Sequence, residues 1–162
     1  MKFLCTVRFD HSDDHVFAHA APADDWAVSG GGAFAGIARD TMVGKLRQAF
    51  ANGFLGVASG GRATFAQVAH MSETDREAAR LALIRLLLDE FGAPDAAVAE
   101  QVAGEEMAAV DSLCADVPIN TVFTIRRTVT DDGAFKEEYR TIQPPSDGPR
   151  HARIWAVVDD DG

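Results

Sequence analysis

The chain has 162 residues, 47% hydrophobic and 25% charged, with no low-complexity tract. That profile fits one soluble globular domain burying roughly 68 to 70% of the surface its unfolded form exposes. Fifteen basic residues against 25 acidic ones give a formal charge of −10, which argues against a nucleic-acid backbone or an anionic membrane as partner.

The opening run KFLCTVRF alternates Phe3, Cys5, Val7 and Phe9 against Lys2, Leu4, Thr6 and Arg8, the pattern of a half-buried strand. Arg8 and Asp10 break its apolar run, so it lacks a signal-peptide core, and no stretch reaches the ~18 to 20 apolar residues of a membrane span. Cys5 and Cys114 are too few for a disulfide framework and have no metal-like spacing, so a reduced cytoplasm is the expected setting.

The acidic stretch that follows carries His11, His15 and His19 at i, i+4 and i+8. On a short helix capped by Asp10 or Ser12, the three rings line one side. Neutral imidazoles one turn apart, with Asp10, Asp13 and Asp14 nearby, then offer a divalent metal site. The plainer reading is a solvated acidic connector, because His70 and His151 are single and no distant His/Cys pair completes the set.

Residues 26–29 predict a short strand entering the glycine run Gly30-Gly31-Gly32. With Ala33, Phe34 and Ala35 this fits G-x-G-x-x-A, but about 20 residues on stands Asn52 or Gly53 where a dinucleotide site needs an acid. The glycines therefore point to a tight turn or close backbone packing. Trp26, Gly30, Gly31, Gly32 and Phe34 form the candidate lining of a small-molecule site. A helix is predicted over 39–51, ending on Asn52-Gly53 as a left-handed C-cap. Strands at 54–58 and 63–69 follow, joined by Gly60-Gly61 as a two-residue hairpin loop.

The strongest periodicity spans 72–91. Ser72 supplies an N-cap, Asp75 sits three residues on, and Gly92 with Pro94 supplies a stop. Leu81, Ile84, Leu88 and Phe91 fall on one flank and Ala79, Leu83, Leu86 and Leu87 on the next, so the helix should need covering on two sides. Pro94 as the first helical residue and Asp95 in the first turn open another helix to about 115. There Glu106 interrupts the apolar face of Val98, Val102, Ala109, Val110 and Leu113. Either the helix breaks at Gly104 and turns Glu106 to water, or a carboxylate is held on an apolar face. The break, or an edge position reaching water, is the expectation.

Two alternating runs around Asp132-Gly133 predict a type I′ hairpin pairing Thr130 with Phe135, Arg126 with Tyr139, Arg127 with Glu138 and Phe123 with Ile142. Phe123, Ile125, Val129 and Ile142 then face the core. Arg126, Phe135 and Tyr139 lie opposite, on an amphipathic face that could touch a partner. A turn-rich connector at 144–149 leads to a last strand at 152–158. The expected fold is a single α+β domain over 1–162, an antiparallel hairpin-built sheet packed against two or three helices.

No nucleophile elbow, no Cys/His neighbours and no P-loop occur, so nothing marks an enzyme or calls for a cofactor. The phrases TVRFDHSDDHVF, DDWAVSG and KLRQAFANGFLGVASGGRATF resemble a small family of alphaproteobacterial proteins of unknown function. That resemblance implies a bacterial cytoplasmic origin and carries over no activity. The expected function is a non-catalytic accessory or binding protein acting through protein contacts or self-association. The alternative is a small-molecule or metal-binding protein, or a metal-assisted enzyme, built on segment 10–36.

Overall fold

The computed structural model describes residues 1–35, 37 and 39–142. In chain order the elements are β1 (Lys2–Val7), α1 (Ser12–Val16), β2 (Trp26–Val28), α2 (Gly44–Asn52), β3 (Phe54–Gly56), β4 (Arg62–Ala63), β5 (Phe65–His70), α3 (Glu73–Asp89), α4 (Ala96–Cys114), β6 (Val122–Val129) and β7 (Phe135–Ile142). Short 3-10 turns occupy Gly31–Phe34 and Arg39–Thr41. The seven strands form one curled antiparallel sheet in the order β4-β3-β2-β1-β5-β6-β7, so the fold is α+β. Residues 144–149 and the strand expected at 152–158 lie outside the described residues.

β1 runs through the middle of the sheet and is buried on both faces: Phe3, Leu4, Cys5 and Thr6 are all inside. The polar member is satisfied, because the Thr6 hydroxyl donates to Pro22 O at 2.6 Å and accepts from Asp25 N at 3.0 Å. α4 lies across β1 and β2, and α3 packs on α4 as a helical hairpin. Arg76 of α3 clasps Asp111 of α4 through two hydrogen bonds of 2.8 and 2.7 Å.

α3 keeps its predicted start, with Ser72 Oγ accepting from Asp75 N at 3.0 Å. Its cover differs from the expectation. Ala79, Leu83, Leu86 and Leu87 are buried; on the other flank Ile84 and Phe91 pack partly buried against the core, whereas Leu81 is 51% exposed and Leu88 also reaches solvent, so the second flank is only half covered. α4 begins two residues later than expected. Asp95 is its N-cap, accepting from Val98 N at 2.9 Å, and Pro94 precedes the cap. The helix then passes unbroken through Gly104, overturning the expected break. Ala99, Ala103, Met107, Val110 and Cys114 form its buried stripe, and Glu106 is carried along the edge of that stripe.

Three more departures arise from tertiary contacts. α2 covers only Gly44–Asn52 and ends on Gly53 at φ −106°, extended rather than left-handed. The strand expected over 63–69 is split: β4 pairs with β3 and β5 pairs with β1, the chain changing partner at Thr64. The buried Asp13 carboxylate holds that switch, accepting from Thr64 Oγ1 at 2.6 Å and Thr64 N at 3.3 Å. The β3–β4 connection spans five residues, not two, because Asp25 anchors it by accepting from Ala58 N and Ser59 N at 3.1 and 3.0 Å.

The late hairpin is slipped by one residue from the expected register. Thr130 N donates to Ala134 O at 2.7 Å and Gly133 N to Thr130 O at 3.0 Å, with Gly133 at φ +87°, which makes a three-residue loop. The pairs are Val129↔Phe135, Arg127↔Glu137, Ile125↔Tyr139 and Phe123↔Thr141. Because side chains alternate with period two, this single step turns all of β7 over. Glu137 and Tyr139 move to the inner face beside Ile125 and Arg127, while Lys136, Glu138 and Arg140 move to the other.

Candidate functional site

The hairpin's slip brings a polar cluster together beneath the glycine run. Arg127, only 1% exposed, is the largest fully buried side chain, and a buried cation must be paired or it destabilises the fold. Its Nε donates to Glu137 Oε2 at 2.8 Å, one Nη to Ser29 O at 2.7 Å and the other to Phe50 O. The guanidinium also stands 5.7 and 5.6 Å from the Phe34 and Phe50 ring centres. Arg62 is buried nearby, 4.7 Å over the Phe34 ring, donating to Gly53 O and Gly30 O at 3.3 Å each. Burial, then the neighbouring Arg127 charge, pull its pKa down to about 9, still cationic at neutral pH.

The glycines are required here by space. A Cβ on Gly31 would lie 2.7 Å from Glu137 Oε2 and 3.2 Å from Arg127 Nε, and one on Gly32 would lie 2.7 Å from Val102 Cγ1. Gly30, at φ +83°, has Arg62 and Leu55 in the same position.

Ser29 Oγ stands 3.0 Å from Glu106 Oε1 and 2.8 Å from Glu137 Oε2 and accepts from Gly31 N at 3.3 Å. A hydroxyl has one proton, so it cannot donate to two carboxylates. Glu137 faces Arg127 and also accepts from Tyr139 Oη at 2.8 Å; although burial opposes ionisation, the arginine's charge and these bonds hold its carboxyl below the usual range. Glu106 has one N–H partner, Gly32 at 3.3 Å; burial first, then the Glu137 charge, push its pKa up. Of the two carboxyls, Glu106 is the one whose protonated form burial favours, and in that form it donates to Ser29 while Ser29 donates to Glu137. Burial, followed by the same carboxylate, raises Tyr139. The groups of this array satisfy one another, so it acts as a clamp joining α4, the glycine turn, α2 and the hairpin.

Two grooves flank the clamp. One, of about 430 Å³, is mostly apolar with Glu90 in its lining and runs between the glycine turn (Gly32, Ala33, Ile37) and the α3–α4 connection (Phe91, Pro94). The other, of about 400 Å³, lies between α2 (Arg47, Phe50) and β6 (Arg126, Arg127, Val129). The second exists because β6 outruns β5: their pairing ends at Ala66↔Phe123. Beyond it the edge of β6 faces α2, where Asn52 Nδ2 donates to Ile125 O at 3.3 Å.

Of the residues singled out by sequence, Gly30, Gly31, Gly32 and Phe34 do converge with the clamp, whereas Trp26 packs edge-on against Phe3 at 6.3 Å in the main core. His11, His15 and His19 do not line up. α1 ends at Val16, before His19, all three are exposed, and among the described residues no three His, Cys, Asp or Glu side chains could hold a metal ion. Arg126, Phe135 and Tyr139 share no surface: Tyr139 is 7% exposed against Phe54, Phe135 packs on Phe50 with centroids 5.1 Å apart, and Arg126 lies on the opposite face. Sequence reasoning passed over Ser29, Arg62 and Glu137. The one available signal was Arg127, a cation on the hairpin face reserved for the core.

Among the described residues no helix is long and apolar enough to cross a membrane. No curated protein and no solved structure matches the chain. The match that does exist covers residues 1–160 and carries no activity with it: the chain belongs to a family of unknown function, DUF6505.

Proposed function

We propose that the chain is a non-catalytic binding protein of the bacterial cytoplasm that acts through protein contacts. The observation carrying this reading is the β6 edge beyond Phe123, a stretch of strand with a helix beside it and no strand on it among the described residues. Such an edge is a template for another chain. The clamp supports the same reading, since its acid, hydroxyl and cation are spent on each other and serve to fix that edge. A photo-crosslinking residue in place of Arg126, compared with one at the exposed Leu81, tests it in cells that express the chain. A discrete adduct from position 126 alone is expected; no adduct there, or the same adducts from both positions, refutes the reading.

A second reading is favoured by the apolar groove, whose volume and lining suit a small apolar molecule reaching the glycine turn. Native mass spectrometry of freshly purified protein decides it. A retained organic mass, lost on replacing Ala33 by Trp to fill the groove, is the expected result, and a bare mass in the unaltered protein rejects it.

A further inference from the structure

Resting on the reading just given, the geometry points to the partner's chemistry: the groove between α2 and β6 receives an extended acidic segment of another protein, laid along Arg127 to Val129 as an added strand. Alternation in the hairpin fixes which backbone groups are available. Thr130 N is spent toward β7, on Ala134 O, so the peptide groups of Arg127 and Val129 turn the other way, toward α2. Ile125 O, on that same side, is already taken by Asn52, so strand addition is confined to the stretch beyond it.

Charge selects the class of segment. The groove's lining includes Arg47, Arg126 and Arg127 and no carboxylate, on a chain with 25 acids and 15 basic residues. Arg127 is neutralised by Glu137, but among the described residues Arg47 and Arg126 are in no ion pair, and both are exposed. Glu138, opposite Arg126 in the register, tempers that charge without pairing with it. Met42, Phe50 and Val129 supply apolar ground for the intervening side chains. An acidic strand is thus attracted locally while a chain of net charge −10 repels acidic partners elsewhere, which confines docking to one place.

The test is amide NMR of the full chain titrated with acetyl-Glu-Val-Glu-Val-Glu-amide, its Lys-Val-Lys-Val-Lys counterpart, and glutarate. The acidic peptide should shift the amides of Arg127 and Val129 saturably and lose affinity as salt rises. Arg47→Gln and Arg126→Gln, both at exposed sites, should each weaken it about two- to fivefold, and together about tenfold. No shift at Arg127 and Val129 at millimolar peptide, or an equal response to the lysine peptide, overturns the inference. Glutarate reproducing the shifts at equal concentration overturns it too, by assigning the groove to small anions. A crosslinked partner at position 126 together with a silent acidic peptide would leave the protein-contact reading standing and reject the acidic strand.

Discussion

Replacing Arg127 by Met keeps the apolar bulk of a side chain that is 1% exposed and removes its charge. Three acceptors each lose a donor, Glu137 Oε2, Ser29 O and Phe50 O, and only the first keeps another, Ser29 Oγ, among the side chains of the clamp. Breaking a buried ion pair from one side costs about 3–5 kcal/mol. Each stranded carbonyl adds about 1–3 kcal/mol unless water reaches it. Glu137 is 24% exposed and can recover some hydration, so the low end of the combined range, about 5 kcal/mol, is the working figure. For a chain of this length, ~2–4 °C is lost per kcal/mol, which puts the melting transition about 10–20 °C lower. Urea unfolding followed by tryptophan fluorescence measures the free energy directly. The decisive control is Glu137→Gln added to Arg127→Met: removing the orphaned charge should return about 1–2 kcal/mol. A loss under about 1 kcal/mol in the single variant, or a double variant no more stable than it, would show that the clamp contributes little.

Stability should rise and then fall with pH. Glu137, lowered in the fold, contributes stability that is present above the ordinary carboxyl range and lost as pH falls through its folded value. Glu106, raised, contributes stability that is complete below that range and lost as pH rises through its folded value. Glu106→Gln should therefore match the parent in acid, exceed it at neutral pH, and flatten the alkaline arm of a pH series of thermal melts; a parallel curve contradicts the protonated assignment. Gly31→Ala should cost about 1–3 kcal/mol by crowding the pinned Arg127–Glu137 pair, whereas Gly104→Ala, where a Cβ meets nothing within 4 Å on a continuous helix, should gain about 0.5–1 kcal/mol. Equal effects in denaturant melts would remove the packing argument for the glycine run. Leu83→Asp should abolish the cooperative transition and Leu81→Asp should keep it, since Leu83 is fully buried and Leu81 is not.

What could be read in advance was what neighbouring residues decide among themselves. α3 carries its own N-cap and its own period, and the strand patterns of β1 and of the late hairpin are local, so the α+β class followed from the pattern, although β1 is buried on both faces rather than half-buried. The hairpin register was not local. The sequence Asp131-Asp132-Gly133 accommodates a two-residue or a three-residue loop, and the choice is settled where Arg127 finds Glu137 and Tyr139 reaches Phe54. Glu106 was misplaced for the same reason. Its partners Ser29 and Gly32 lie 77 and 74 residues away in sequence, and a helical wheel registers an acid on an apolar face without registering what meets it. Leu81 and Leu88 erred the other way, because apolarity says that burial is permitted and not that a neighbour exists.

The place of β1 at the centre of the sheet has a consequence for how the chain comes to be folded. Its partner β5 is joined to it by pairs from Lys2↔His70 to Val7↔Phe65, and β5 meets β6 at Ala66↔Phe123 and Gln67↔Val122. During synthesis at about 5–20 residues per second, Phe3, Leu4 and Cys5 therefore wait several seconds for a surface to cover them. The hairpin that delivers Arg127 and Glu137 to Ser29 emerges later still, so during synthesis the clamp cannot close until β7 has been made. A fragment ending at residue 120 should remain protease-sensitive while 1–142 resists, and refolding of the whole chain should occupy milliseconds to seconds, as long-range strand pairing requires.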